Sequence, residues 1–264
     1  MENFRHAGLE DDNVGLSGAV WGGVPLQEIL GGNPELGRVI YKPFDNTPTI
    51  GTSATTVDGL YGYIDTSCTI APDADDPGVL ELTTTNSANN EVHVSTSTHT
   101  SPFAAISSSS PKTIVFEARV NLSSVADVAA LVGLGKVGGF AANNGLADTT
   151  GEIADADIVG FQVLAAAPTA WDAIYKKTGQ TKAQVLAAAH TQVASTYVKL
   201  GFRYDAVSGD LDYYVNGAWV ATVSDVSIST FPDGVLLAPI FSVKTFASAV
   251  KILRVDWFCT AVLL

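Results

Sequence analysis

The sequence predicts an all-β chain built as an antiparallel two-sheet sandwich and preceded by an extended N-terminal arm. Three observations carry that expectation. Short segments in which apolar and polar residues alternate recur from about residue 57 onward. Gly, Asn, Asp and Pro punctuate them, and no sustained helical period intervenes. Hydrophobic residues make up 47% of the 264 and charged residues only 16%, so Ser, Thr, Asn and Gly supply the polar remainder, which suits strands and turns.

Residues 1–50 differ in texture from the rest. They are rich in Gly, Asn and Pro, and carry isolated apolar anchors at Phe4, Val20, Trp21, Leu26, Ile29, Leu30 and Tyr41. Within them only "PLQEIL" has the makings of a helical turn or two, with Pro25 in the first turn and Gly31-Gly32 ending it. A segment with anchors but no period cannot build a core of its own. It is expected to pack on its own domain or on a neighbour, while residues 51–264 form the sandwich.

The strands follow in order. "VLELTTT" (79–85), "EVHVS" (91–95) and "TIVFEARVNL" (113–122) alternate. In the last, Ile114, Phe116, Ala118, Val120 and Leu122 share one face, and Val115, Glu117, Arg119 and Asn121 the other. "VAALVGLGKVG" (128–138) is apolar throughout, as a strand covered on both faces would be, and its glycines fit close packing. "DIVGFQVLAA" (157–166), "TYVKLGFRYD" (196–205), "DLDYYV" (210–215), "AWVATVS" (218–224), "LLAPIFSVKTF" (236–246) and "AVKILRVDWFCTAVL" (249–263) complete the set. Residues 169–195 admit two readings. "TKAQVLAAAH" can be a helix capped by Thr181, or the stretch can be a hairpin around Thr178-Gly179-Gln180 with Trp171, Ala173 and Tyr175 on one face. The flanking strands favour the hairpin.

Charge and composition exclude several function classes. Formal charge is −13, from 27 acidic and 14 basic side chains, and the densest basic spot is the pair Lys176-Lys177. A phosphate backbone needs clustered Lys and Arg, so nucleic acid is not expected as a direct partner. No apolar run approaches the ~20 residues that span a bilayer. "MENFRHAGLEDDN" does not read as a secretory signal, so the widely separated Cys68 and Cys259 are expected to be buried thiols rather than a bridge.

No catalytic constellation is legible. The stretch "FRYDAVSGDLDYYVNGAWV" sets Asp205, Asp210 and Asp212 among aromatics, but each has a structural role available. Asp205 and Asp210 flank a turn that contains Gly209, Asp212 faces Arg203 across strands, and Asn216-Gly217 suits a two-residue type I′ turn. Glycoside hydrolysis on a sandwich needs two converging carboxylates, yet Glu117 and Glu81 each stand alone on their strands. Glu152, Asp155 and Asp157 in "DTTGEIADAD" fit no ordered calcium loop and read as a solvated acidic loop. His6, His93, His99 and His190 accompany no nucleophile elbow, and His93 and His99 lie in a Ser/Thr-rich stretch expected to be exposed. No catalytic residue, cofactor site or metal site is therefore expected.

The C-terminal half, "TYVKLGFRYDAVSGDLDYYVNGAWVATV" followed by "LLAPIFSVKTFASAVKILRVDWFCTAVL" with its Asp256-Trp257 pair, resembles laminin-G and concanavalin A-like jelly-roll sandwiches. "TIVFEARVNL" and "VGFQVL" resemble earlier strands of the same fold, so the likeness covers roughly residues 57–264. The wording is most similar to tailed-phage virion proteins of the head-decoration or cement type. That resemblance implies a non-enzymatic protein on the capsid exterior, made in the host cytoplasm and oligomeric, as a trimer. Its partners would be the major capsid protein or neighbouring virion subunits, gripped through Phe4, Trp21, Leu26, Ile29, Leu30 and Tyr41 of the arm. The fold also serves lectins and glucanases. The alternative expectation is a carbohydrate-binding module of a tail or fibre, with Trp171, Tyr214 or Trp219 stacking on a glycan. A glucanase-like hydrolase is the remote one.

Overall fold

The computed structural model describes residues 15–263 apart from 31, 34, 46–48, 50–54, 58, 96–103, 107–111, 137–144, 155 and 225–228. Two short helices, α1 (Gly18–Trp21) and α2 (Leu26–Leu30), come first. The strands are β1 (Gly37–Pro43), β2 (Thr55–Val57), β3 (Leu60–Ile64), β4 (Thr69–Pro72), β5 (Leu80–Thr83), β6 (Glu91–Ser95), β7 (Ala104–Ile106), β8 (Ile114–Leu122) and β9 (Val128–Lys136). They continue with β10 (Ile158–Leu164), β11 (Ala167–Lys176), β12 (Ala183–Thr191), β13 (Tyr197–Tyr204), β14 (Leu211–Val215), β15 (Ala218–Val223), β16 (Val235–Thr245) and β17 (Ile252–Leu263).

All pairings are antiparallel and build two sheets. The first runs β15-β14-β13-β8-β17-β5-β4, with β1 also on β17. The second runs β12-β11-β10-β9-β16-β6-β3-β2, with β7 on β16. Between them lies the main core, which takes Ile114, Phe116, Ala118, Val120 and Leu122 from β8 and Val198, Leu200, Phe202 and Tyr204 from β13. Period-two alternation places these residues inside, as the sequence predicts. Phe116 stacks on Phe202 with ring centroids 5.4 Å apart, and Phe161 meets the edge of Tyr213 at 5.4 Å. The jelly-roll sandwich is thus the observed architecture.

Strand β9 is buried on both faces. Val128, Ala130, Val132 and Leu134 enter the main core, while Ala129 and Leu131 join a second cluster with Leu146, Ile153 and Ala156 from the segment that crosses the sheet. Gly133 lies opposite Gly160 in the β9–β10 register. A Cβ on Gly133 would sit 2.2 Å from the Val159 carbonyl oxygen and 2.8 Å from the Gly160 Cα, so no side chain fits. Gly133→Val should cost about 1–3 kcal/mol or more, because backbone must move. Urea unfolding would measure it, and an unchanged midpoint would mean that the two strands can separate at little cost.

The hairpin reading of 169–195 holds. β11 and β12 pair around Gly179, whose φ of 77° closes the turn, and Trp171, Ala173 and Tyr175 all face the core. The β13–β14–β15 meander also follows the sequence, with Asn216 and Gly217 at φ 49° and 77° as a type I′ turn requires. Asp205 closes the preceding loop by accepting from the Val207 amide at 2.8 Å. Cys68 and Cys259 are both buried free thiols. Among the described residues no helix is long and apolar enough to cross a membrane.

The segment read as an arm is described from residue 15, and there it lies along the chain's own first sheet. β1 pairs with β17 from Gly37↔Leu263 to Pro43↔Trp257. β5 occupies the same side of β17 farther along, from Val255↔Leu80 to Ile252↔Thr83. The two partners meet at an irregularity between Val255 and Trp257, which leaves Asp256 at a bulge.

Candidate functional site

The residues of β8, β13 and β14 that point away from the core form the outer face of the first sheet. Register sets Gly201 between Glu117 and Tyr214, Lys199 beside Arg119, and Arg203 beside Asp212. Alternation predicts a solvated polar face here. Instead the centre is roofed by α1, because Leu16, Val20 and Trp21 pack on Val115, Tyr214, Trp257, Cys259 and Ala261. Gly201 permits the approach, since a Cβ there would already meet Val20 at 3.4 Å and the Phe116 carbonyl at 3.1 Å.

Polar contacts pin that roof. Ser17 donates its amide to Glu117 Oε2 at 3.0 Å and its hydroxyl to Oε1, and Trp21 Nε1 donates to Oε2 at 2.8 Å. Lys199 Nζ donates to the Gly15 carbonyl at 3.0 Å, and Arg203 Nη1 to the Gly22 carbonyl at 2.7 Å. Glu117 is 1% exposed, and burial raises its carboxyl pKa against the opposing pull of Ser17, Trp21 and Lys199. A carboxylate so enclosed cannot reach a substrate in this conformation. Arg203 spends its guanidinium on α1, so the cross-strand pair expected with Asp212 is replaced: Asp212 accepts the Thr222 hydroxyl.

Among the described residues, two open features of this face flank α1. The first is on the edge hairpin, where Trp219 is 60% exposed. Its indole is nonetheless fixed, because Nε1 donates to Thr222 Oγ1 at 2.9 Å and the Thr222 hydroxyl in turn donates to Asp212. The second is a cleft of about 260 Å³ where the Asp256 bulge separates β1 from β5, lined by Tyr41, Asp45, Asp76, Arg119, Asp256 and Trp257 among others. Arg119 ion-pairs with Asp256 and lies 4.0 Å from the Tyr197 ring centroid. Burial first, then Cys259, Asp256 and Asp45, push the Tyr41 phenol up to about 12, which leaves it a hydrogen-bond donor through the physiological range.

A strap, residues 145–154, crosses the outer face of the second sheet. Lys244, wholly buried, donates to the Leu146 carbonyl at 2.7 Å and pairs with Glu91 at 3.4 Å and Asp148 at 2.6 Å. Glu91 also accepts the Leu146 amide at 3.1 Å and the Ser242 hydroxyl at 3.0 Å. Farther along, Gln162 Nε2 donates to the Gly151 carbonyl at 2.6 Å, and Lys182 pairs with Glu152 at 2.6 Å.

Several expected placements need correction. Trp21 is wholly buried against its own sheet and Ile29 is 9% exposed, so neither is open to a partner in this conformation. Leu26 and Tyr41 are partly buried against the same cluster, Leu30 is 42% exposed, and Phe4 lies outside the described residues. Of the three aromatics considered for stacking, Trp171 is core, with Nε1 donating to Gln192 at 2.7 Å, and Tyr214 is 8% exposed beneath α1. Only Trp219 is open. The acidic loop is no solvated run either, since Asp157 is buried and accepts from the Thr178 amide and hydroxyl, while Asp155 lies outside the described residues. Among the described residues no group of three or more His, Cys, Asp or Glu is placed to hold a metal ion. His93, expected at the surface, is buried and stacks on Tyr63 at 4.8 Å, because β6 is an inner strand. His190 is half-buried, and His6 and His99 lie outside the described residues.

No protein-family model matches the chain, and no curated protein matches it in sequence. Solved structures do match in shape. The endo-β-1,4-glucuronan lyase of the fungus Trichoderma reesei is similar with a TM-score of 0.54 at 10% identity, covering 84% of this chain and 94% of that one. The basic winged bean lectin solved with Tn-antigen gives 0.52 at 10% identity, over 86% and 99%. A protein of unknown function from Shewanella oneidensis MR-1 gives 0.52 at 10%, over 87% of each. The fold is the concanavalin A-like jelly roll. At such identities the likeness speaks to the sandwich and to nothing finer.

Proposed function

We propose that this concanavalin A-like chain binds carbohydrate without acting on it, with a sugar ring stacked on Trp219. The carrying observation is an indole that is 60% exposed yet held by hydrogen bonds through Thr222 to Asp212. An aromatic face already fixed in place loses little freedom when a ring settles on it, so more of the stacking energy survives as affinity. Asp212 stands beside it, its carboxylate able to accept from a sugar hydroxyl. The basic winged bean lectin, similar in fold, was solved with Tn-antigen.

Binding rather than catalysis is the reading because the lone strand carboxylates are engaged elsewhere. Glu117 is sealed under α1, and Glu81 is paired with Arg254 at 2.5 Å. The capsid-cement role drew on an arm with open apolar anchors. With Trp21 inside the chain's own fold, that mechanism loses its largest anchor, and the carbohydrate reading takes precedence. A tail or fibre setting remains compatible with it.

A glycan array of the full chain, repeated with Trp219→Ala, tests the proposal. The variant should keep its melting temperature, since the side chain is mostly exposed, and should lose about tenfold or more in affinity for the glycans bound. An array without hits, or hits untouched by the substitution, would sink it.

A further inference from the structure

We propose that the cleft at the Asp256 bulge binds an amino sugar through its ammonium group. The cleft is separate from the Trp219 platform: it lies at β17, whereas Trp219 is on edge strand β15, with β14, β13 and β8 between them. Its volume of about 260 Å³ suits a single hexose-sized ring.

Its shape is set by the fold rather than by loops meeting by chance. β1 and β5 occupy successive stretches of the same edge of β17, and the gap between them is the cleft. The bulge turns Asp256 into that gap, and the Asp256 carboxylate and the Tyr197 ring fix the Arg119 guanidinium. Tyr41 gives the wall an aromatic side chain, and its phenol supplies a hydroxyl for a sugar oxygen, while Trp257 beneath is buried.

The charge on the wall selects the ligand. Asp45, Asp76 and Asp256 line it against one guanidinium, and that guanidinium is already matched by Asp256. The surplus is two carboxylates, on Asp45 and Asp76, whose side chains are exposed. The same field is felt by the neighbouring phenols. After burial, Asp256 and Asp45 are among the groups that raise Tyr41, and Asp256 and Asp76 among those that raise Tyr197. A ring carrying a primary ammonium gains from this surplus, a neutral ring is indifferent to it, and a uronate is repelled. The Tyr41 ring and phenol in a cavity of this size favour a compact hydroxylated ring over the long flexible stem of a lysine side chain.

Isothermal titration of the full chain at low salt with glucosamine, N-acetylglucosamine, glucose and glucuronate tests this. Glucosamine should bind about tenfold tighter than the two neutral sugars, glucuronate should bind weakest, and the preference should shrink as salt rises. Asp45→Asn with Asp76→Asn should erase the preference without moving the melting temperature, and Trp219→Ala should leave it intact. The proposal is overturned if glucosamine does not bind, if it binds no tighter than N-acetylglucosamine, or if the double variant keeps the preference. It is equally overturned if Nα-acetyl-lysine methylamide binds as tightly as glucosamine, since the cleft would then take a protein side chain. Failure of the Trp219 test leaves this outcome unaffected, so the two sites are judged separately.

Discussion

Removing residues 1–45 is expected to leave no stably folded sandwich. The segment supplies a seven-residue ladder to β17 and the roof over Val115, Cys259 and Ala261. It also supplies the three donors that satisfy the buried Glu117 carboxylate. Truncation would strip apolar surface, open one edge of β17 and leave that carboxylate without its partners, each a costly change. The readout is the cooperative urea transition, which should vanish or move to very low denaturant. A truncated protein that melts within a few degrees of the full chain would show that the segment is an accessory. At single-residue scale, Trp21→Ala should cost about 3–5 kcal/mol, as removal of a fully buried large aromatic does. Glu117 adds a pH signature. Its folded pKa is raised above the unfolded value, so its ionised form penalises folding at neutral pH. That penalty is relieved as pH falls through the folded pKa toward the ordinary value of 4.5. Glu117→Gln should flatten stability in that window.

Lys244→Ala is expected to cost about 3–5 kcal/mol, because it leaves Glu91 ionised and buried with one partner gone. Lys244 is wholly buried, and it ties the Leu146 carbonyl of the strap to the Glu91 carboxylate of β6. Its contact with half-exposed Asp148 should matter much less, being open to solvent. Burial alone would raise the Glu91 pKa, but His93, Lys244 and the Leu146 amide together hold it below the usual 4.5. A lowered folded pKa contributes stability that is present above about pH 4.5 and is lost as pH falls through the folded value. Urea midpoints from pH 3 to 7 should therefore fall on the acid side in the parent chain, and fall less in Lys244→Ala. The double variant Lys244→Met with Glu91→Gln should recover part of the loss. A single Lys244→Ala as stable as the parent would show that the strap needs no such anchor.

The strands that alternate cleanly were legible because half-buried sheets demand period two, and β8, β13 and β14 all placed their apolar sets as read. β1, β3 and β4 were not, since they carry Gly or Pro and sit among turn-rich sequence. The outward residues were the harder problem. Alternation says which side of a sheet a residue takes, but not whether a distant segment will cover that side. Glu117 is separated from Ser17 by 100 positions and Lys199 from Gly15 by 184, and no local pattern reports such pairings. For the same reason the sequence left open whether Trp21 packs on its own domain or on a neighbour. Trp219 and Trp171 carry equal aromatic character in the sequence, yet one is exposed on an edge strand and the other lies in the core between the sheets. The cleft was invisible because it arises where two strands end against a third.

The positions of β16 and β17 have a consequence for how the molecule is made. Both follow all the other strands in sequence and both sit in the interior of their sheets, β16 between β9 and β6, β17 between β8 and the pair β1 and β5. While a ribosome is still making residues 235–263, neither sheet can close. β8, β9 and β6 each wait with an unpaired edge, and the N-terminal ladder has no strand to join. Sandwich topologies of this kind fold slowly because their contacts are distant in sequence. Until then each sheet is held as two separate parts with exposed margins, the stage at which chaperone holding or misassociation would act.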